Sequence, residues 1–330
     1  MFCSIKKVKS AVIPGALLAL ALTAFPALAA SNFPNRPITL IVPYPAGGGS
    51  DNVARLVAAK LAEKLGQSVV VENKAGAGGN IGTRLIAQSK PDGYTLGLAT
   101  PGPVTVGKSL YNNLPYDPEK ELEPVIFLNQ SPIVMLVNPK LPVTDLTTFN
   151  QWVKTQPQGA NAAIGGTGSL NHLVTELYRY ETKAPIVAVP YKGGSEAVID
   201  TIAGHVDMLF IPLSAVISSI QAKQLTPVFI AADKRNELFP QIPTSKEAGL
   251  ANVIGSAWNG IVVPANTPAA VIEKLNSTLN AILKQQDVQE AFKKQGMTTM
   301  GGSAEEFKKF LRSDAEKWKA VITNAHIDKI

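Results

Sequence analysis

Two glycine-rich turns in this chain carry residue types suited to holding an anion. In PYPAGGGSDN, Gly47, Gly48 and Gly49 precede Ser50 and Asp51. In IGGTGSLNH, Gly165, Gly166 and Gly168 flank Thr167 and precede Ser169 and His172. Glycines ahead of a helix start leave the first backbone N–H groups unshielded and expose the positive end of the helix dipole, which favours a carboxylate or phosphate. Ser50, Thr167 and Ser169 add hydroxyl donors, and a further turn, PYKGGS, offers Tyr191, Lys192 and Gly193. Tyr44 in the first turn, Thr100 closing YTLGLAT and Phe210 closing VDMLF complete the candidate ligand-binding set. Two such turns facing each other would grip a small molecule with two negative ends. Asp51 would repel an anion unless it faces away or caps the helix, so its expected part is to shape the loop.

Each feature has a plainer reading. A glycine turn also serves any tight strand-to-helix connection. A lone histidine is more often structural, Tyr191 could simply cover the edge of a core, and a lysine such as Lys192 is by default a surface residue. Readings that require chemistry fare worse. GAGGNIG over Gly76–Gly82 imitates a dinucleotide fingerprint, but its third glycine comes one place late, and the next strand ends in Ala99–Thr100 without a ribose-binding acid. GGSEA at 193–197 only approximates a nucleophile elbow, with alanine where the second glycine belongs. The three histidines, at 172, 205 and 326, sit in no catalytic context, and neither an H-E-x-x-H motif nor a Cys/His cluster is present. No cofactor, metal or enzymatic activity is expected.

The first thirty residues stand apart. Lys6, Lys7 and Lys9 precede an apolar run over Ala11–Leu22, and Ala27 and Ala29 then supply an A-x-A signature, which together read as a signal peptide over residues 1–29 cleaved near Ala29. That run is too short for a comfortable membrane span. Removing the leader removes the one cysteine, Cys3, and leaves 28 basic residues against 25 acidic ones. An excess of three, without a basic run interleaved with aromatics, gives no reason to expect nucleic-acid binding. The length of 330 residues, 45% of them hydrophobic, suffices for two lobes with real cores. The expected protein is exported and periplasmic.

The elements that must position the turns alternate strand and helix, the pattern of a parallel sheet covered by helices. Strands are expected over Ile38–Val42, Ser68–Glu72 and Tyr94–Leu98, with helices over Ser50–Leu65 and Ile81–Gln88. The second half repeats the order: strands Asn161–Ile164, Ile186–Val189 and Val206–Phe210, helices Leu170–Tyr180 and Glu196–Ala203. Each half is thus β-α-β-α-β, with its glycine loops at the carboxyl ends of strands, where open α/β sheets collect ligands. Pro124–Pro139 and Val253–Pro264 resemble two crossings between lobes, hence a hinge. Thr267–Pro268 should start a helix reaching about Gln285, and Ser303 with Glu306 forms a capping box for a last helix with the stripe Phe307, Phe310, Leu311, Trp318 and Val321. The expected division is a first lobe over 30–130, a second over 131–252, and a return to the first over 253–330, including the C-terminal helices.

RPITLIVPYPAGGGSDNVAR, GQSVVVENKAGAGGNIG, PDGYTLGLAT, LPYDP, GTGSLNHL, VPYKGG, IPTSKEAGL, SAWNGIVVPANTP and GGSAEEF, in this order over essentially the whole chain after the leader, resemble the Bug-type receptors. These are periplasmic solute-binding proteins of tripartite tricarboxylate transporters. The resemblance implies a two-lobed α/β type II periplasmic-binding-protein fold that closes on a carboxylate and delivers it to the membrane permease subunits. By motif it places first-lobe contacts on Ala46, Gly47, Gly48 and Ser50, and second-lobe contacts on Thr167, Ser169, His172, Tyr191 and Gly193. It implies contacts through backbone amides and bridging waters more than through arginines. Where the family often has an acidic or amide residue after the strand VDMLF, this chain reads Ile211–Pro212. A more apolar wall there disfavours an amino-acid ligand and favours an aliphatic or aromatic carboxylate, with a tricarboxylate left open. The expected partners are that small carboxylate and the permease, with the receptor a monomer. The alternatives are a periplasmic sensing module for a signalling receptor, which would share the pocket, and an exported hydrolase.

Overall fold

Short runs of Val, Ile and Leu with no polar face form strands that must be covered on both sides. The computed structural model describes Met1, Phe2, Ser4 and residues 33–330, so the leader's apolar run and the cleavage near Ala29 lie outside the described residues. Pro34–Ile330 forms one unit. It opens with β1 (Ile38–Val42), α1 (Gly49–Leu65), β2 (Val69–Asn73), α2 (Asn80–Ala87) and β3 (Thr95–Ala99). β1 is central, parallel to both β2 and β3. A π-helical turn over Gly102–Val106 continues into α3 (Gly107–Leu110), and α4 (Pro118–Glu121) leads into β4 (Leu122–Val137).

The second half contains α5 (Leu146–Val153), β5 (Ala160–Ile164), α6 (Leu170–Thr182), β6 (Ile186–Pro190), α7 (Gly194–Ala203) and β7 (Met208–Pro212). Here β5 is central and parallel to β6 and β7, the same arrangement as in the first half. Next come α8 (Ile217–Gln221), β8 (Thr226–Ile230), β9 (Ser256–Pro264), α9 (Ala269–Leu283), α10 (Gln286–Lys294), β10 (Thr298–Thr299) and α11 (Ala304–Asn324).

The strand order β2-β1-β3-β9-β4-β7-β5-β6 shows how the halves join. The stretch expected as two runs with a polar break is one 16-residue strand, β4. Its first part, through Pro132, pairs with β9, and its second, from Ile133, pairs with β7 and β8. The polar residues Asn129 to Ser131 stay within the strand, where the buried Asn129 accepts a hydrogen bond from the Asn259 side chain on β9 through its Oδ1, while its Nδ2 has no partner among the described residues.

Separate apolar clusters serve the two sheets. Ile41, Ile86, Phe127, Trp258 and Phe307 pack on the first. Phe149, Leu173, Tyr178, Met208, Phe210 and Phe229 pack on the second. The return segment divides between them. α9 lies on α1 and β4. It begins one residue after Pro268 and ends at Leu283, two residues short of the expected Gln285, and α10 follows beyond the break. α11, opened by the expected Ser303–Glu306 capping box, carries Phe307 in the first cluster and Trp318, Val321 and Ile322 in the second. Its packing therefore spans both clusters.

Candidate functional site

A cavity of about 510 Å³ lies where the carboxyl ends of β1, β3 and β7, the start of α6 and the beginning of β9 come together. Tyr44, Ser50 and Thr100 line it from the first half, and Thr167 and Ser169 from the second. The starts of α1 and α6 thus open on one space.

The two starts are built differently. The residue capping α1 is Gly48, which has no side chain to bond the first turn. Its first N–H groups have no acceptor further up the helix, so they are available to a ligand. The preceding turn needs φ +84° at Gly47, a conformation that favours glycine. Asp51 holds this turn in shape. One carboxylate oxygen accepts the Gly47 N–H (2.8 Å) and Arg55 Nε (2.8 Å), and the other accepts Asn73 Nδ2 (2.9 Å). The Arg55 hydrogen bond, aided by those from Gly47 and Asn73, lowers its pKa to about 2. Asp51 is only 2% exposed and does not line the cavity. Its hydrogen bonds shape the loop, and it forms no part of the cavity wall.

The α6 start is already capped. Ser169 Oγ accepts the His172 N–H (3.3 Å), and the Gly168 N–H donates to His172 Nδ1 (3.0 Å). Burial, reinforced by Arg179, lowers the His172 pKa, so its ring is neutral at pH 7 and can accept that bond. His172 is a loop anchor set behind the wall. Gly168 has φ +75°, and a Cβ there would stand 2.2 Å from Leu110 Cδ2, so close approach as well as backbone conformation requires glycine.

Other expected contacts lie off the wall. Tyr191 donates its hydroxyl hydrogen to Asp200 Oδ2 (2.9 Å), and Lys192 is exposed. A methyl group on Gly165 would sit 3.4 Å from Gly194 N, so the 191–194 loop backs the glycine turn from behind. Gly193, which precedes α7, belongs to that backing loop. Ala46, Gly47 and Gly48 are exposed on the turn that leads to Ser50. Phe210 is fully buried, its ring 5.5 Å from that of Tyr178, and belongs to the core. Pro212, on the same face of β7 and closer to its carboxyl end, reaches the cavity instead.

Several lining residues carry no local signal in the sequence. Ala257, Trp258 and Asn259 come from β9 and form the floor. Ser50 Oγ donates to Asn259 Oδ1 (3.0 Å), and Asn259 Nδ2 donates to Asn129 Oδ1 (2.9 Å). Trp258 Nε1 and Thr105 Oγ1 both donate to Asp314 Oδ2, at 3.0 and 2.7 Å, and Lys317 pairs with the other oxygen at 2.8 Å. The buried Asp314 thereby fixes the floor and the π-helical turn to α11. Tyr44 and Thr100 share a hydroxyl hydrogen bond of 2.9 Å, and burial raises the Tyr44 pKa, keeping the phenol neutral. Pro101, Gly102, Val106, Leu110 and Tyr111 continue the wall.

No Asp, Glu, Lys, Arg or His side chain lines this cavity among the described residues. Nor do those residues contain a group of three His, Cys, Asp or Glu placed to hold a metal, or a helix long and apolar enough to cross a membrane. A larger hollow, about 720 Å³, lies between the π-helical turn and the end of α11. Charged residues of both signs line it, including Lys108, Glu119, Glu316 and Lys319, and neither glycine turn contributes to it.

Two α/β lobes joined by a shared strand, with helix starts facing a common cleft, define a two-lobed type II periplasmic binding protein. The model of the tripartite tricarboxylate transporter family receptor matches residues 53–327, and the chain belongs to that family of solute-binding receptors. Protein BugT of Bordetella pertussis is 37% identical over 296 residues, covering 89% of this chain and 91% of that protein. A Rhodopseudomonas palustris structure with adipate is 31% identical at a TM-score of 0.81, covering 90% of this chain and 100% of that one. MatC from the same species, with bound malate, is 30% identical at a TM-score of 0.76, with 88% and 100% covered.

Proposed function

We propose that this receptor closes its two lobes on a small organic carboxylate and passes it to the permease of a tripartite transporter. The observation that carries this reading is the opening of the uncapped α1 start and the α6 start onto one cavity. In this reading one carboxylate of the ligand meets the first-turn N–H groups after Gly47 and Gly48, with Ser50, Tyr44 and Thr100 beside it. Thr167, Ser169 and the start of α6 meet the other polar group as the lobes close, and residues 131–252 move as the second lobe. The protein acts in the periplasm as a monomer after cleavage near Ala29.

Neutral donors suffice energetically. Each helix start contributes about 0.3–1 kcal/mol when exposed and up to ~2 when partly buried. A hydrogen bond to a charged group adds roughly 1.5–3 kcal/mol. A micromolar dissociation constant needs about 8 kcal/mol net, so a few such contacts reach it without an arginine in the wall. The adipate and malate seen in the related structures agree with a carboxylate ligand.

The test is a thermal-shift screen of mono-, di- and tricarboxylates against protein lacking residues 1–29. A ligand at a hundred times its dissociation constant stabilises the folded form by about 2.7 kcal/mol, readily seen as a higher Tm. Silence across all three classes would overturn the proposal.

A further inference from the structure

The end of α3 is clamped by residues that lie far along the chain. At Tyr111 the backbone leaves the helix and turns extended, with φ −92° and ψ 136°. Its N–H donates to the Gly107 carbonyl (2.9 Å). On either side of it, the Ile330 N–H donates to the Leu110 carbonyl and the Asn112 N–H donates to the Ile330 carbonyl, both at 2.9 Å. The segment carrying Ile330 is itself anchored next to α11. There the Ile327 N–H donates to the Ile322 carbonyl (3.0 Å), and the Ile327 side chain packs on the second apolar cluster. These bonds fix the Tyr111 backbone without using its side chain.

That side chain lines the cleft. Its hydroxyl stands beside Gly78, where an added Cβ would come 3.0 Å from the oxygen. The neighbouring phenols are committed, Tyr44 to Thr100 and Tyr116 to Asn80 Oδ1 and the Pro103 carbonyl. The Tyr111 hydroxyl has no hydrogen-bond partner among the described residues, and it is not sealed from solvent. Tyr111 is half-buried, so a ligand in the cleft can reach this oxygen. An acid supplies acceptors, and a phenol can meet one with its O–H. We propose that Tyr111 is a further ligand-binding residue that donates to an oxygen of the bound acid, and that residues 328–330 are positioning residues that hold its backbone in place. This inference rests on the carboxylate reading given above.

Calorimetric titration of the leaderless protein with butyrate, adipate, malate and citrate identifies the tightest of these acids, which then serves as the probe. Tyr111→Phe, which keeps the ring and removes the O–H, should weaken its binding on the order of tenfold. The urea midpoint should not move, because no hydrogen bond within the protein is lost. Ending the chain at Ile327 should weaken binding roughly three- to tenfold in the wild type and add nothing in the Tyr111→Phe background, since the two changes act on one contact. Ile330→Pro removes only the N–H that Leu110 accepts, and it should act in the same direction even where the shortened chain fails to fold. Binding by Tyr111→Phe within about twofold of wild type would overturn the ligand contact. Tail variants that leave affinity unchanged, or weaken it equally in both backgrounds, would overturn the positioning role. Either result leaves a carboxylate receptor intact, whereas binding of none of the acids would bring down that reading and this inference together.

Discussion

Replacing Gly48 by aspartate separates the anion-binding role of the α1 start from its structural role. Gly48 has φ −80° and ψ 169°, an extended conformation open to any residue, and a Cβ added there would stand 3.8 Å from the Pro45 carbonyl oxygen, an ordinary contact. Aspartate is among the preferred helix caps, and it replaces glycine at such a position with a gain of only a few tenths of a kcal/mol. The fold should therefore persist with its Tm hardly changed. Binding should not. The new carboxylate would occupy the N–H groups proposed for the ligand and stand roughly 5 Å from the ligand's own charge. At an effective dielectric constant of about 20, that repulsion is about 3 kcal/mol, or somewhat over a hundredfold in affinity. Gly48→Ser caps the same turn without charge, so it should cost clearly less than the aspartate. Calorimetry with the best carboxylate from the screen, beside urea denaturation of each variant, reads both quantities. An aspartate variant that folds normally and binds within threefold of wild type would refute the placement of the carboxylate at α1.

Two further outcomes follow from the loops. Gly168→Ala should lower stability by about 1–3 kcal/mol in urea denaturation, because its Cβ meets Leu110 at 2.2 Å in a backbone conformation unsuited to alanine. Adding Leu110→Ala should relieve the steric part but not the backbone part; full recovery would count against the strain argument. The Asp51 carboxyl, at about 2 in the fold against 3.8 as its ordinary value, contributes stability that is complete above pH 4 and lost as the pH falls towards 2. The difference corresponds to roughly 2 kcal/mol. Urea midpoints at pH 7 and pH 3 should accordingly differ less in Asp51→Asn than in wild type, and equal acid sensitivity would refute the linkage.

Local pattern carried much of the fold. The strand, glycine turn and helix of β1–α1 and β5–α6 lie within consecutive residues, so short apolar stretches, glycines and helix periodicity were enough to locate them. The capping box at Ser303–Glu306 was legible for the same reason. Asn129, Trp258, Asn259 and Asp314 were not, because their partners stand far off in the chain: Ser50 is 209 residues from Asn259, and Trp258 is 56 from Asp314. The polar stretch Asn129–Ser131 looked like a break because the donors to Asn129 and Gln130 come from β9, far off in the chain. On β7 the sequence placed the cleft contact at Phe210, and the cavity lies one pleat further on, at Pro212. Alternation identifies the face of a strand but not how far along it a cavity opens.

By itself the sequence determined the elements and the chemistry at their junctions: two glycine turns, each ahead of a helix, each supplying free amide donors to an anion. Only the tertiary structure decided that both turns serve one cavity, that Asp51 and His172 are consumed in holding their loops, and that β9 and α11 supply the floor and its support. The reason is physical. Helix starts and turn conformations are set by neighbours a few residues away, whereas burial, the direction of a side chain and the partner it finds are set by segments that the fold alone brings into contact.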